Sequence, residues 1–106
     1  MPNNNPTDNG QAWTVSRLQA HAESLHRARV RELAATIQED FLEDLESLYL
    51  SRAAWQKSYP GVVDIAALMT ELRLLFPDLS FLARPDFPSA STNILIRLWS
   101  SAENNQ

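Results

Sequence analysis

Glu23 and His26 stand three residues apart in the run "ESLH", residues 23–26, and side chains at i and i+3 of a helix point the same way. Helical bundles hold carboxylate-bridged metal pairs with that Glu-x-x-His spacing. Such a centre needs two of these motifs and two more glutamates. Only one motif occurs here, so a second copy of the chain would have to complete the set. His21 and His26 lie five apart and do not converge on one face. His26 is therefore expected to be an ordinary polar helix residue, and no metal, cofactor or catalytic residue is expected. The chain has no cysteine, which removes a disulfide framework, a thiolate zinc site, an iron–sulfur cluster and a cysteine nucleophile. It also lacks a glycine-rich phosphate loop, an H-E-x-x-H pair and a G-x-S-x-G elbow. A non-enzymatic protein is the expectation.

The other chemistry-bearing stretch is "RARVRELAATIQEDFLEDLE", residues 27–46. Arg27, Arg29 and Arg31 are followed by Glu39, Asp40, Glu43, Asp44 and Glu46. The arginines could hold phosphates, but only Arg27 and Arg31 align on a helix, and no aromatic residue interleaves with them. A formal charge of -4 also argues against a nucleic acid. Glu23 sits four residues before Arg27, the favoured orientation for an intrahelical pair. Glu39–Glu43 and Asp40–Asp44 are like-charge pairs, each unfavourable by about 0.2–0.5 kcal/mol on an isolated helix. A cation from a partner would relieve them, although a solvated outer face is the plainer reading.

The two blocks could also meet each other. An antiparallel helix pair centred near Ala35, coiled-coil-like and with small Ala34 and Ala35 at the crossing, sets residue 27 opposite 43 and 31 opposite 39. Arg29 shares a flank with Asp40 and Asp44, while Arg27 and Arg31 lie across the stripe. Such rim pairs set orientation more than strength. Eight of the nine cations are arginine, Lys57 being the only lysine, which favours paired over freely solvated cations.

The elements that must position these groups come next. No Gly or Pro occurs between Gly10 and Pro60, a stretch of 49 residues rich in helix formers, which predicts helix. Ser16 with Gln19 is a candidate capping box. Val30, Leu33, Ala34, Ile37, Phe41, Leu45 and Leu48 share one helical stripe, and Trp55 falls on it too. Val15, Leu18, Ala22 and Leu25 share another, displaced by roughly 130°. The stripe therefore changes face at His26–Arg29. Either the chain bends there or one straight helix packs on different partners along its length; the bend is favoured here.

After the turn "SYPGVV", Asp64 is the expected N-cap of an amphipathic helix over Ile65–Phe76, ended by Pro77. Ile65, Leu68, Met69, Leu72, Leu75 and Phe76 form its apolar stripe. Then "LSFLAR" and "TNILIRLW" flank the turn-rich "PDFPSAS" and alternate as strands would. A helix capped by Ser91 is the rival reading of 92–100, and β-branched Thr92, Ile94 and Ile96 favour the strand. Two strands leave open edges that a second copy or another protein could complete. On a strand, Arg97 and Trp99 share the face away from Ile94 and Ile96, a pairing of residue types enriched in binding hot spots.

The fold class expected is mainly α (α+β): a long or bent N-terminal helix pair, an amphipathic helix and a C-terminal β-hairpin, with all-α as the alternative. One domain is expected at 13–101, since 106 residues with 44% hydrophobic and 21% charged content suit a single small core. Disordered tails are expected at 1–12 and 102–106. The first ten residues, "MPNNNPTDNG", have no charged or apolar region of a signal peptide. The apolar runs are short and broken by Arg, so no membrane role and a cytoplasmic location are expected. By elimination the expected function is a protein–protein interaction module: a homo-oligomer, an adaptor, or an inhibitor docking on another protein. Its partner contacts are expected at Arg27, Arg29, Arg31, Asp40, Asp44, Arg97 and Trp99. A nucleic-acid-associated accessory protein using Arg27, Arg29 and Arg31 is the alternative.

Overall fold

The computed structural model describes residues 12–99. Helix α1 (Val15–Glu43) is followed by a short α2 (Leu45–Ser51), strand β1 (Trp55–Pro60), helix α3 (Ile65–Leu75), and strands β2 (Ser80–Asp86) and β3 (Ser91–Arg97). The mixed α+β class with a long N-terminal helix and a C-terminal hairpin is therefore present. The tails expected at 1–12 and 102–106 lie, apart from Ala12, outside the described residues.

α1 is one continuous helix, so the chain does not divide into a short and a longer helix at His26–Arg29 as expected. Its N-cap is Thr14, whose Oγ1 accepts from the Arg17 N–H at 3.2 Å, in place of the expected Ser16. The change of stripe has the other cause. From Val30 onward Val30, Ala34, Ile37 and Phe41 are buried, whereas from Val15 to Arg29 no residue is buried and only His26 is half-covered.

The break comes later than expected. At Asp44 the N–H bonds to the Phe41 carbonyl at 3.1 Å, a tighter i−3 turn that separates α1 from α2. α2 then ends at Arg52, in the left-handed region at φ 62, with its N–H on the Leu48 carbonyl. That conformation costs a non-glycine residue about 1–2 kcal/mol. Here the Arg52 guanidinium lies 3.9 Å over the Trp99 ring, a cation–π contact that offsets part of the cost.

The long helix therefore stops short of Pro60, and residues 55–60 form a strand the sequence reading missed. β1 pairs antiparallel with β3, and β2 pairs with its other side, giving the order β1-β3-β2. The molecule's own β1, not a partner's strand, completes the hairpin. The expected alternation holds: Phe81 faces Ile96 and Ala83 faces Ile94 across the β2–β3 ladder. Thr92, Ile94 and Ile96 are fully buried on the inner face.

α3 is capped by Asp64, whose Oδ1 accepts from the Ala67 N–H at 3.2 Å. Leu68 and Leu72 drive into the core, and the helix ends at Phe76, before Pro77. The core lies where the second half of α1, α3 and the inner sheet face meet. Between β1 and α3 the chain turns at Gly61, whose φ of 92 is a conformation L side chains rarely adopt. The turn is pinned twice to the hairpin. Gly61 N–H donates to the Ala90 carbonyl at 2.9 Å, and the buried Thr92 hydroxyl donates to the Gly61 carbonyl at 2.8 Å.

Candidate functional site

Asp40 and Asp44 are turned toward the molecule's own sheet. Asp40 lies in the last turn of α1 and Asp44 caps its end, and β1 directs Trp55, Lys57 and Tyr59 back at them. Tyr59 OH donates to Asp40 Oδ2 at 2.8 Å, and Lys57 Nζ donates to the same oxygen at 3.0 Å. Trp55 Nε1 donates to Asp44 Oδ2 at 2.8 Å. The cation that relieves this acid pair is the protein's single lysine.

The Tyr59 hydrogen bond, and after it Lys57, holds the Asp40 carboxyl below its ordinary 3.8. Burial, and after it the Asp40 bond, pushes the Tyr59 phenol above its ordinary 10.0. A lowered carboxyl contributes stability above its unfolded value and loses it as pH falls through the folded one. The stability difference between wild type and Asp40→Asn is thus expected to be full at neutral pH and to close below pH 3.8. Tyr59 works in the opposite sense: its contribution is full below pH 10.0 and declines as pH rises past that value. Urea midpoints of both proteins across the acid and alkaline ranges check the two windows.

The basic cluster is divided between two surroundings, Arg27 and Arg31 lining one groove between α1 and α3 and Arg29 another. Arg27 pairs with Glu23 at 3.2 Å along the helix, as its spacing predicts, and Arg31 reaches Glu71 of α3 at 3.8 Å. Arg29 lies on a different side, in an open groove of about 380 Å³ between α1 and the Tyr59–Val63 segment. The three arginines do not form one patch. His26 does not pair with Glu23 either: its Nε2 accepts from the Asp64 N–H at 2.9 Å, tying α1 to the start of α3. Among the described residues no three His, Asp or Glu side chains gather as a metal site would need.

Arg97 and Trp99 are not brought together. β3 ends at Arg97, so the alternation that would have set both on one face stops there. Trp99 lies against α2, its Nε1 donating to the Leu48 carbonyl at 3.3 Å and its ring 5.6 Å from Tyr49. Arg97 stays on the outer sheet face beside Leu82 and Leu95. The crossing expected near Ala35 is also unavailable as drawn, because Ala34 is buried in the molecule's own core.

The first half of α1 carries a run of exposed apolar side chains, whereas Leu42, Tyr49, Leu50, Leu74, Leu82 and Phe87 are exposed elsewhere. Trp13, Val15, Leu18 and Leu25 are 57%, 70%, 50% and 60% exposed. The tip is organised rather than loose. The Arg17 guanidinium stacks 4.5 Å over Trp13 and donates to the Ala12 carbonyl, and Trp13 packs 5.4 Å from His21. The stripe Val15–Leu18–Ala22–Leu25 was legible as a pattern; its lack of a partner within the chain was not. Arg29, Glu32, Leu33 and Thr36 carry the same helix face into the groove, whose far wall includes Tyr59 and Val63. No helix among the described residues is long and apolar enough to cross a membrane.

Compared with protein-family models, curated proteins and solved structures, the chain matches none of them.

Proposed function

We propose that this protein is a non-enzymatic protein–protein interaction module whose contact surface is the first half of α1. The observation that carries this reading is the exposed run Trp13, Val15, Leu18 and Leu25 on a helix whose second half is core. Burying a Val or Leu side chain is worth about 1.5–3 kcal/mol, and the molecule forgoes that gain along the whole arm. A ridge of aliphatic side chains with an aromatic at its end is the form in which a helix docks on a groove or another helix. Asp40 and Asp44 have partners inside the molecule, so the contact is carried by apolar surface more than by charge. The alternative, a nucleic-acid accessory role, has less support, because Arg27 and Arg31 already face Glu23 and Glu71.

The test is the double variant Leu18→Ser, Leu25→Ser. Both positions are exposed, so each change is expected to alter stability by no more than about 0.5 kcal/mol. The variant is expected to lose the association that wild type shows, with its own copies by light scattering or with a protein retained from source-cell extract. A wild-type protein that stays monomeric and retains nothing that the variant does not would defeat the reading.

A further inference from the structure

We infer that the partner of the arm is a second copy of this chain, laid antiparallel so that the tip of each arm closes the groove of the other. The inference rests on the reading of the arm as the contact surface and names its occupant. Val15, Leu18, Ala22 and Leu25 follow a 3-4-3 spacing, the seam of a two-stranded coiled coil. The next seam positions in the same repeat are Arg29, Glu32 and Thr36, and all three line the groove. Arm and groove are thus successive parts of one helix face.

Orientation follows from the charges on that face. A parallel pair in register would set Arg29 against Arg29 and Glu32 against Glu32 in the seam, two like-charge layers. An antiparallel pair with Ala22 opposite Leu25 of the other copy avoids both. It packs small against large at the centre, lays Leu18 along the aliphatic stem of Arg29, and brings Val15 level with Glu32. Arg17 and Glu32 then fall on the same flank, about 3 Å apart along the axis. Glu32 and Arg29 have no ion pair among the described residues, so Arg17 at the tip is offered a free acid at the groove.

Size favours the same register. The arm, Val15 to Arg29, is about 22 Å long. Its four seam side chains alone make a thin contact beside the roughly 1,200–2,000 Å² buried in stable interfaces. Sliding the tip into the groove adds Trp13 on one side and Leu33 and Thr36 on the other, twice over by symmetry. Both grooves are then filled and the assembly closes as a dimer.

The chain's lack of cysteine makes the register directly readable. Leu18→Cys and Arg29→Cys are prepared as separate full-length variants, mixed, and oxidised by air with a copper catalyst. Thiols held within one dimer react at millimolar effective concentration, so the mixture is expected to form covalent dimer on the order of tenfold or more faster than either variant alone. Faster self-coupling of Leu18→Cys would mean a parallel pair and overturn the inference. So would preferential coupling of Val15→Cys with Leu25→Cys, which marks a shorter register that leaves the groove open, or a wild-type dimer in which none of these pairs couples. A wild-type monomer at all concentrations by light scattering overturns it as well. If that monomer still loses a foreign partner on Leu18→Ser, Leu25→Ser substitution, the interaction-module reading stands and only the self-partner falls. If it loses nothing, both fall.

Discussion

Replacing Phe41 by alanine is expected to lower the unfolding free energy by about 3–5 kcal/mol, against a total of roughly 5–15 kcal/mol for a domain of this kind. Phe41 is 2% exposed and is met edge-on by two other rings, Trp55 at 5.6 Å and Phe76 at 5.5 Å. It is where the end of α1, the start of β1 and the end of α3 converge. Truncation removes the transfer free energy of the ring, leaves a cavity and breaks both aromatic pairs, each worth about 0.5–1.5 kcal/mol beyond area. Urea unfolding followed by circular dichroism measures the loss. A decrease under about 1 kcal/mol would mean that the ring does not sit in a packed core.

The second large effect is a contrast within α3. Leu68→Ala is expected to cost about 2–5 kcal/mol, while Leu74→Ala, six residues on, is expected to stay within about 0.5 kcal/mol of wild type. The residue type and helix are the same; Leu68 is 0% exposed and Leu74 72%. Leu68 packs toward the sheet's inner face with Leu72, Ile94 and Ile96, and Leu74 points to solvent. The pair separates burial from helix propensity, because the propensity change is identical at both sites. Equal losses at the two positions would show that α3 is rotated from the orientation described.

Much of this architecture is legible in the sequence. α3 had a cap, a stripe and a proline stop, all local signals, and the structure reproduces them except at Leu75, which the stripe included and which is exposed. The hairpin was announced by alternation on both sides of a turn-rich segment, together with β-branched residues at 92, 94 and 96. Strand β1 was hidden for a definite reason. Trp55 and Tyr59 are four residues apart, a spacing that returns to the same side of a strand and nearly to the same side of a helix. Trp55 also lies eighteen residues from Ile37 in the sequence, five full helical turns, so it fell on the stripe of a helix it does not belong to. No glycine or proline marked the end of α2, because the turn is made by Arg52, stacked on Trp99 from the far end of the chain.

The candidate site divides along the same line. The stripe Val15, Leu18, Ala22, Leu25 and its offset from the Ile37 stripe are properties of the sequence, since periodicity reports which residues share a face. Periodicity does not report what covers that face. Only the tertiary structure decided that α1 is continuous, that its second half packs into the core, and that Val15, Leu18 and Leu25 of the first half stay exposed. The charges follow the same rule. Glu23 and Arg27 were legible as a pair because a helix places i and i+4 together whatever the fold. Asp40, Asp44, Arg31 and Trp99 found partners on α3, β1 and α2, which chain folding alone brings within reach. Local composition and spacing thus determined which segments become helix or strand and which side of each is apolar, and long-range packing determined which of those sides remained available for a partner.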